Sequence, residues 1–151
     1  MASLANDIDL LRRVPILSGF GDEPLKLIAF SAEDREVEDG RVLFEAGDRA
    51  DGGWIVAMGQ VDLTTADGVV LESVGPGGLI GEIALITETQ RPARAVAVGR
   101  SRLIMIRRAL FRRVLSEFPE LASQLARVVA SRITQTAGGL TPIADRLDAI
   151  D

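Results

Sequence analysis

The sequence predicts a mainly β chain with flanking helices: an antiparallel β jelly roll or barrel, with helices before it and two helices after it. Three observations carry this expectation. Between residues 35 and 106 short apolar stretches are cut by glycine turns at short intervals, the pattern of antiparallel all-β folds. Asp67-Gly68 stands between two strand-like runs and is a strong hairpin signal. After Arg107 the apolar residues return to helical spacing.

Taken in order, Met1 to Asn6 shows no pattern and is expected to fray. Ile8, Leu10, Leu11 and Val14 then lie at near-helical spacing over Asp7 to Val14, and Pro15 ends the run. Ile16, Leu17 and Phe20 form an apolar knot around Gly19 and Gly21. Asp22 is the expected N-cap of a short amphipathic helix to Ser31, with Pro24 in its first turn and Leu25, Leu27, Ile28 and Phe30 as its apolar set. From Arg35 the helical period is lost. Val37 and Val42 flank the turn Glu38-Asp39-Gly40, and Val42, Leu43 and Phe44 lead to a second turn at Ala46-Gly47-Asp48. Trp54 to Ala57 reads as a short strand stopping at Gly59. Val61, Leu63 and Thr65 alternate with polar residues in another strand, and Val69 to Val74 returns from the hairpin. Ala95 to Val98 and Leu103 to Ile106 read as two more strands, parted by the polar turn Gly99-Arg100-Ser101-Arg102. Ala109, Leu110, Phe111, Val114 and Leu115 make one helix, with Arg107, Arg108, Arg112 and Arg113 off its apolar stripe. Pro119 breaks it, and Leu121, Leu125, Val128, Val129 and Ile133 make a second, ended by Gly138-Gly139. The expected layout is one domain over 1–151: helical entry 7–32, β-roll 35–106, C-terminal helices 107–136 and tail 137–151.

Composition narrows the function. At 151 residues and 47% apolar the chain supports one hydrophobic core. No apolar run approaches the roughly 20 residues that span a bilayer, and MASLANDIDLLRR lacks the basic-then-apolar order of a secretory signal. Cysteine and histidine are absent, which removes thiol nucleophiles, the most common general base and the most common zinc ligand. A net charge of -5 argues against nucleic-acid binding by this chain, which rests on a basic surface. The expectation is a cytoplasmic protein that is not an enzyme, holds no cofactor and does not enter a membrane.

The chemistry concentrates in Pro76 to Ala97, PGGLIGEIALITETQRPARAVA. Gly77, Gly78 and Gly81 let the main chain turn and approach a ligand closely. Glu82 to Ile86 suits one helical turn whose N–H groups hold an anion, with Arg91 supplying the opposite charge. A carboxylate at Glu82 is acceptor-only and two-pronged, which suits a sugar hydroxyl. A plainer reading stands beside this one: Glu82 caps its own turn and Arg91 pairs with Glu88 on a wet surface, worth about 0–1 kcal/mol.

The stretch GPGGLIGEIALITETQRPARAVAV resembles the phosphate-binding cassette of cyclic nucleotide-binding domains, the module of bacterial catabolite activators, kinase regulatory subunits and cyclic-nucleotide-gated channels. The resemblance covers roughly Leu10 to Ile133. It includes VPILSGFGDEPLKLIA, GRVLFEAGDRADGGWIVAMGQVDL, ADGVVLESVGPGG and SRLIMIRRALFRRVLSEFPELASQLARVVASRI. It implies a regulatory module for a cyclic nucleotide. Glu82 matches the ribose 2′-hydroxyl acceptor and Arg91 the phosphate arginine. Gly81 and Ala84 match backbone contacts, and Ile83, Pro92 and Ala93 complete the cassette. Leu63, Leu71 and Val74 fall where the family lines the purine. Thr136 matches a residue that touches the base from above, and reads equally well as an exposed helix-end threonine.

Three departures from the family pattern matter. Pro92 stands where Ala, Ser or Thr is usual. It lacks an N–H, so one phosphate donor is missing. It also lacks the hydroxyl that cGMP-selective members tend to use, so cAMP is expected ahead of cGMP, at reduced affinity. Arg94 replaces Thr and is read as a surface charge rather than a second phosphate contact. Gly78-Leu79 replaces an acidic-aromatic pair under the loop. On this reading ligand capture repositions the C-terminal helices. A competing reading is a degenerate domain of the same fold that binds no nucleotide and serves in protein assembly, with Pro92 as its main support and a homodimer through the C-terminal stripe as one form. A metal-dependent enzyme on a jelly roll is disfavoured by the missing histidines. Transcriptional members carry a helix-turn-helix after the long helix; the tail TAGGLTPIADRLDAID is too short for one, so the chain is expected to be a stand-alone module or a fragment, with an unknown protein partner.

Overall fold

The computed structural model describes residues 4–127. Helix α1 (Leu4–Arg12) is followed by a 3-10 turn at Pro15–Leu17 and helix α2 (Asp22–Ser31). Eight strands follow: β1 (Glu33–Val37), β2 (Val42–Phe44), β3 (Arg49–Ala50), β4 (Gly52–Thr64), β5 (Val70–Val74), β6 (Leu79–Ile80), β7 (Thr89–Gln90) and β8 (Arg94–Arg107). A 3-10 turn, Glu82–Leu85, lies between β6 and β7, and helix α3 (Arg108–Glu117) follows β8. Residues 119–127 are helical. The main sheet runs β1-β8-β4-β5 with β2 on β8 and β6 on β4, all antiparallel, and β3 pairs β7 as a separate ribbon. This is the jelly-roll arrangement with helices before and after the sheet, as the sequence predicts; the sheet stays open at β1 and β5 instead of closing.

The apolar runs at 54–57 and 103–106 show no alternation because both faces of the sheet are covered there. Ile55, Ile104 and Ile106 face the helices and pack with Leu11, Leu17, Leu25 and Phe111. Their neighbours Trp54, Val56, Leu103 and Met105 point the other way, into the roll, with Phe44, Val61 and Ala95.

Several expectations are corrected. Helix α1 begins at Leu4, within the stretch read as frayed. The N-cap of α2 is Gly21; Asp22 is its first helical residue and reaches Arg12 instead. Phe30 is 81% exposed, because it lies off the face that buries Leu25 and Ile28. Gly59 does not stop a strand: β4 runs through it with φ +90, and its register against β8 shifts on either side of Met58. The polar stretch Gly99-Arg100-Ser101-Arg102 is likewise part of β8 rather than a turn. The buried Ser101 hydroxyl makes this possible, accepting from Gln60 N–H at 3.2 Å and lying within hydrogen-bond reach of the Gln60 and Gly99 carbonyls. The Asp67-Gly68 hairpin is present, with Thr65 N–H donating to Val69 C=O at 2.9 Å.

Candidate functional site

The site grows from the end of β6. Gly81 adopts φ +79, the left-handed region, and opens the 3-10 turn Glu82–Leu85. Ala84 N–H donates back to Gly81 C=O at 3.1 Å. A Cβ placed on Gly81 would stand 2.3 Å from Arg91 Nη1, so the residue is required by its torsion and by what packs on it.

Arg91 is brought there by tertiary pairing. Its N–H donates to Asp48 C=O at 2.7 Å and its C=O accepts from Gly47 N–H at 2.8 Å, fixing the chain to the turn before β3. Its Nη2 donates to Gly52 C=O at 2.8 Å, and its guanidinium carbon lies 4.3 Å from the centre of the Phe44 ring. The residue is 6% exposed. Burial lowers the Arg91 pKa from its ordinary value, with Asp51 and Asp48 opposing, and an arginine stays charged throughout the physiological range. A buried cation is costly unless it is paired. Here it is held by a carbonyl and a ring, with one edge turned to the glycine cradle.

Cradle and arginine enclose a pocket of about 420 Å³, within the usual range for small-molecule sites. Its walls are Ala50, Glu72, Leu79, the run Gly81 to Ala84, and Thr89 to Pro92. The structure thus gathers Gly81, Glu82, Ile83, Ala84, Arg91 and Pro92 around one space. Ala93 is buried just beyond it. Leu63 and Val74 belong to the packing inside the roll, and Leu71, 61% exposed at a register shift of β5, is not among the wall residues. Thr136 lies outside the described residues. Arg94 is paired with Glu45 at 2.6 Å, in agreement with its reading as a surface charge. Glu88 stands 4.0 Å from Arg108, not against Arg91, so the wet-surface pair does not form.

Sequence reasoning missed Glu72, whose place opposite Leu63 was readable only from the hairpin register. It also missed Arg108. Set aside as lying off the α3 stripe, Arg108 turns inward, and its Nη1 donates to the carbonyls of Ala50 at 3.0 Å, Ala84 at 3.0 Å and Thr87 at 3.1 Å. The first residue of α3 is therefore bonded to the end of the cradle. One guanidinium and two carboxylates around a pocket suit binding of a small anion that carries hydroxyl or N–H donors. Among the described residues no group of His, Cys, Asp or Glu is placed to hold a metal ion, and no helix is long and apolar enough to cross a membrane.

Comparisons with known proteins bear on the family of the chain. A family profile described as cyclic nucleotide-binding domain matches residues 34–118. An uncharacterized NTE family protein of Mycobacterium tuberculosis is 32% identical over 126 residues, which are 83% of this chain and 22% of that protein. The chain thus spans about a fifth of the length of that relative. The N-terminal domain of a transcriptional regulator from Streptomyces coelicolor A3(2) superposes with a TM-score of 0.79 at 33% identity, covering 86% of this chain and 94% of that domain. The regulatory domain of Toxoplasma gondii PKA, solved with cAMP, gives a TM-score of 0.66 at 25% identity over 82% of this chain and 49% of that one. Domains of this kind regulate and do not catalyse. The glycine cradle, the buried arginine facing it and the jelly roll that carries both, with a family match spanning most of that roll, place the chain in the cyclic nucleotide-binding domain family.

Proposed function

We propose that the chain is a cytoplasmic cyclic-nucleotide sensor with cAMP as its ligand. Arg91 takes the cyclic phosphate together with N–H groups of the 3-10 turn, and Glu82 accepts from the ribose 2′-hydroxyl. The observation that carries this reading is Arg91, a buried residue whose guanidinium is set against Gly81 in the pocket wall. Pro92 favours cAMP over cGMP, since the wall offers no hydroxyl there for a guanine amino group. Output runs through Arg108: a cradle drawn toward the ligand carries the Ala84 and Thr87 carbonyls with it, and α3 follows. The ligand does this only through a higher affinity for the drawn-in state.

A second reading has one observation in its favour: Pro92 lines the pocket and has no N–H to give a phosphate. On that reading the domain binds no nucleotide and acts in assembly. The C-terminal stripe gives it little support in the described residues, because Leu121 and Leu125 are already buried against the helix-facing core.

The deciding experiment is a calorimetric titration with cAMP and with cGMP, after unfolding and refolding to strip any carried-over nucleotide. Saturable cAMP binding, tighter than cGMP, is the expected result. Silence with both ligands, from protein shown to be folded, would sink the sensor reading in favour of assembly.

A further inference from the structure

The pocket holds one acidic side chain that phosphate and sugar do not use. Glu72 sits on β5 opposite Leu63, and Leu63 packs into the roll. Val74, two residues on, is 8% exposed in the same core. Ser73 lies on the other face, where its hydroxyl donates to Asp62 at 2.7 Å. Glu72 therefore shares the pocket side of its strand with Leu63 while staying exposed, at the open rim of the pocket. It lines the same pocket as Arg91 and Glu82.

A carboxylate at the rim of this pocket is solvated when the pocket is empty and meets a bound ligand along its open side. Ionised, it can only accept hydrogen bonds. The phosphate and the cyclised ribose oxygens offer it no donor. A base bearing an exocyclic amino group does.

Resting on the nucleotide reading above, we propose that Glu72 determines base specificity by accepting a hydrogen bond from the adenine amino group. In this arrangement Arg91 anchors the phosphate at one wall and Glu72 reads the far end of the ligand from β5. The rim glutamate then has a ligand to answer to, beyond the other role a charge has on an edge strand, which is to block pairing with a further strand.

The test compares cAMP with purine riboside 3′,5′-cyclic monophosphate, which differs from it only in lacking the amino group. Both are titrated into the full chain, its Glu72→Ala variant and its Glu72→Gln variant. Wild type is expected to prefer cAMP by about tenfold, the size of a hydrogen bond to a charged acceptor. Glu72→Ala is expected to bind the two ligands within about twofold of each other, with cAMP losing more affinity than the amino-free ligand. Glu72→Gln, which keeps a carbonyl acceptor and the side-chain length, should fall between. A preference that survives in Glu72→Ala would overturn the proposal, as would an equal loss for both ligands, the signature of an edge-strand role. Wild type that binds both ligands equally would also overturn it while leaving the nucleotide reading intact. Wild type that binds neither ligand would remove that reading and this one together.

Discussion

Gly81 and Arg91 act as one unit. Any side chain at Gly81 meets a left-handed torsion and the guanidinium 2.3 Å from its Cβ. Gly81→Ala is therefore expected to lower stability by about 1–3 kcal/mol and to push Arg91 out of place, weakening cAMP binding as well; a urea titration and calorimetry on the same variant check both. Arg91 and Arg94 separate cleanly. Arg94 pairs with Glu45 on the surface, where both side chains keep substantial exposure. Arg94→Ala should change stability and affinity by no more than about 1 kcal/mol, whereas Arg91→Ala should cost at least about 2 kcal/mol of cAMP affinity. Equal losses would place the phosphate elsewhere. At this scale the sequence was legible for the cassette, since glycine, carboxylate and arginine are local signals. Leu71 and Glu72 were not separable by type, because only the register of β5 on β4 decides which of them reaches the pocket.

The long strands β4 and β8 are the elements that carry the site. Gly52, the start of β4, supplies the carbonyl that holds Arg91, and Arg107 at the end of β8 leads directly into α3. Local turn signals at Gly59 and at Gly99 to Arg102 lose to pairing along the full length of both strands, with bulges absorbing the glycines. The coupling between cradle and helix is carried by Arg108. Arg108→Ala would leave the carbonyls of Ala50, Ala84 and Thr87 without this donor. The expected outcome is a loss of about 2–3 kcal/mol in unfolding free energy, with cAMP still binding but no longer protecting the amides of α3 from hydrogen exchange. Ligand-induced protection of α3 equal to wild type would place the coupling on another contact.

Across the whole molecule, charge fastens the helical layer to the roll. Asp7 of α1 grips Arg102 of β8 with both oxygens at 3.1 Å, and Asp34 of β1 holds the same guanidinium at 2.9 Å. Asp7 and Arg102 side chains are only 16% and 12% exposed. Asp7→Ala is expected to cost about 1.5–3 kcal/mol, because a largely buried cation loses its charge-assisted hydrogen bonds to α1 while Asp34 still holds it; a chemical-denaturation midpoint reads this directly. Acid acts on a more exposed pair. Hydrogen bonds from Arg107 and then Arg35 lower the Glu33 pKa below its ordinary 4.5. A lowered carboxyl contributes stability above its unfolded value and loses it as pH falls through the folded one. Acidification below about pH 4.5 should therefore lower the denaturation midpoint, and Glu33→Gln should flatten that slope by about 0.5 kcal/mol at most, since solvent and salt screen the pair.

The sequence by itself determined the jelly roll with its flanking helices and the hairpin at Asp67-Gly68. These rest on spacing and on turn chemistry, which act over a few residues. Only the tertiary structure decided that Gly59 and Gly99 lie within strands, that Arg91 is anchored to Gly52 and Phe44, that Arg108 bonds to the cradle and that Glu72 faces the pocket. Each of these joins residues some twenty or more apart, or depends on strand register. A shift of one residue in that register exchanges the two faces of a strand, and local pattern does not contain it.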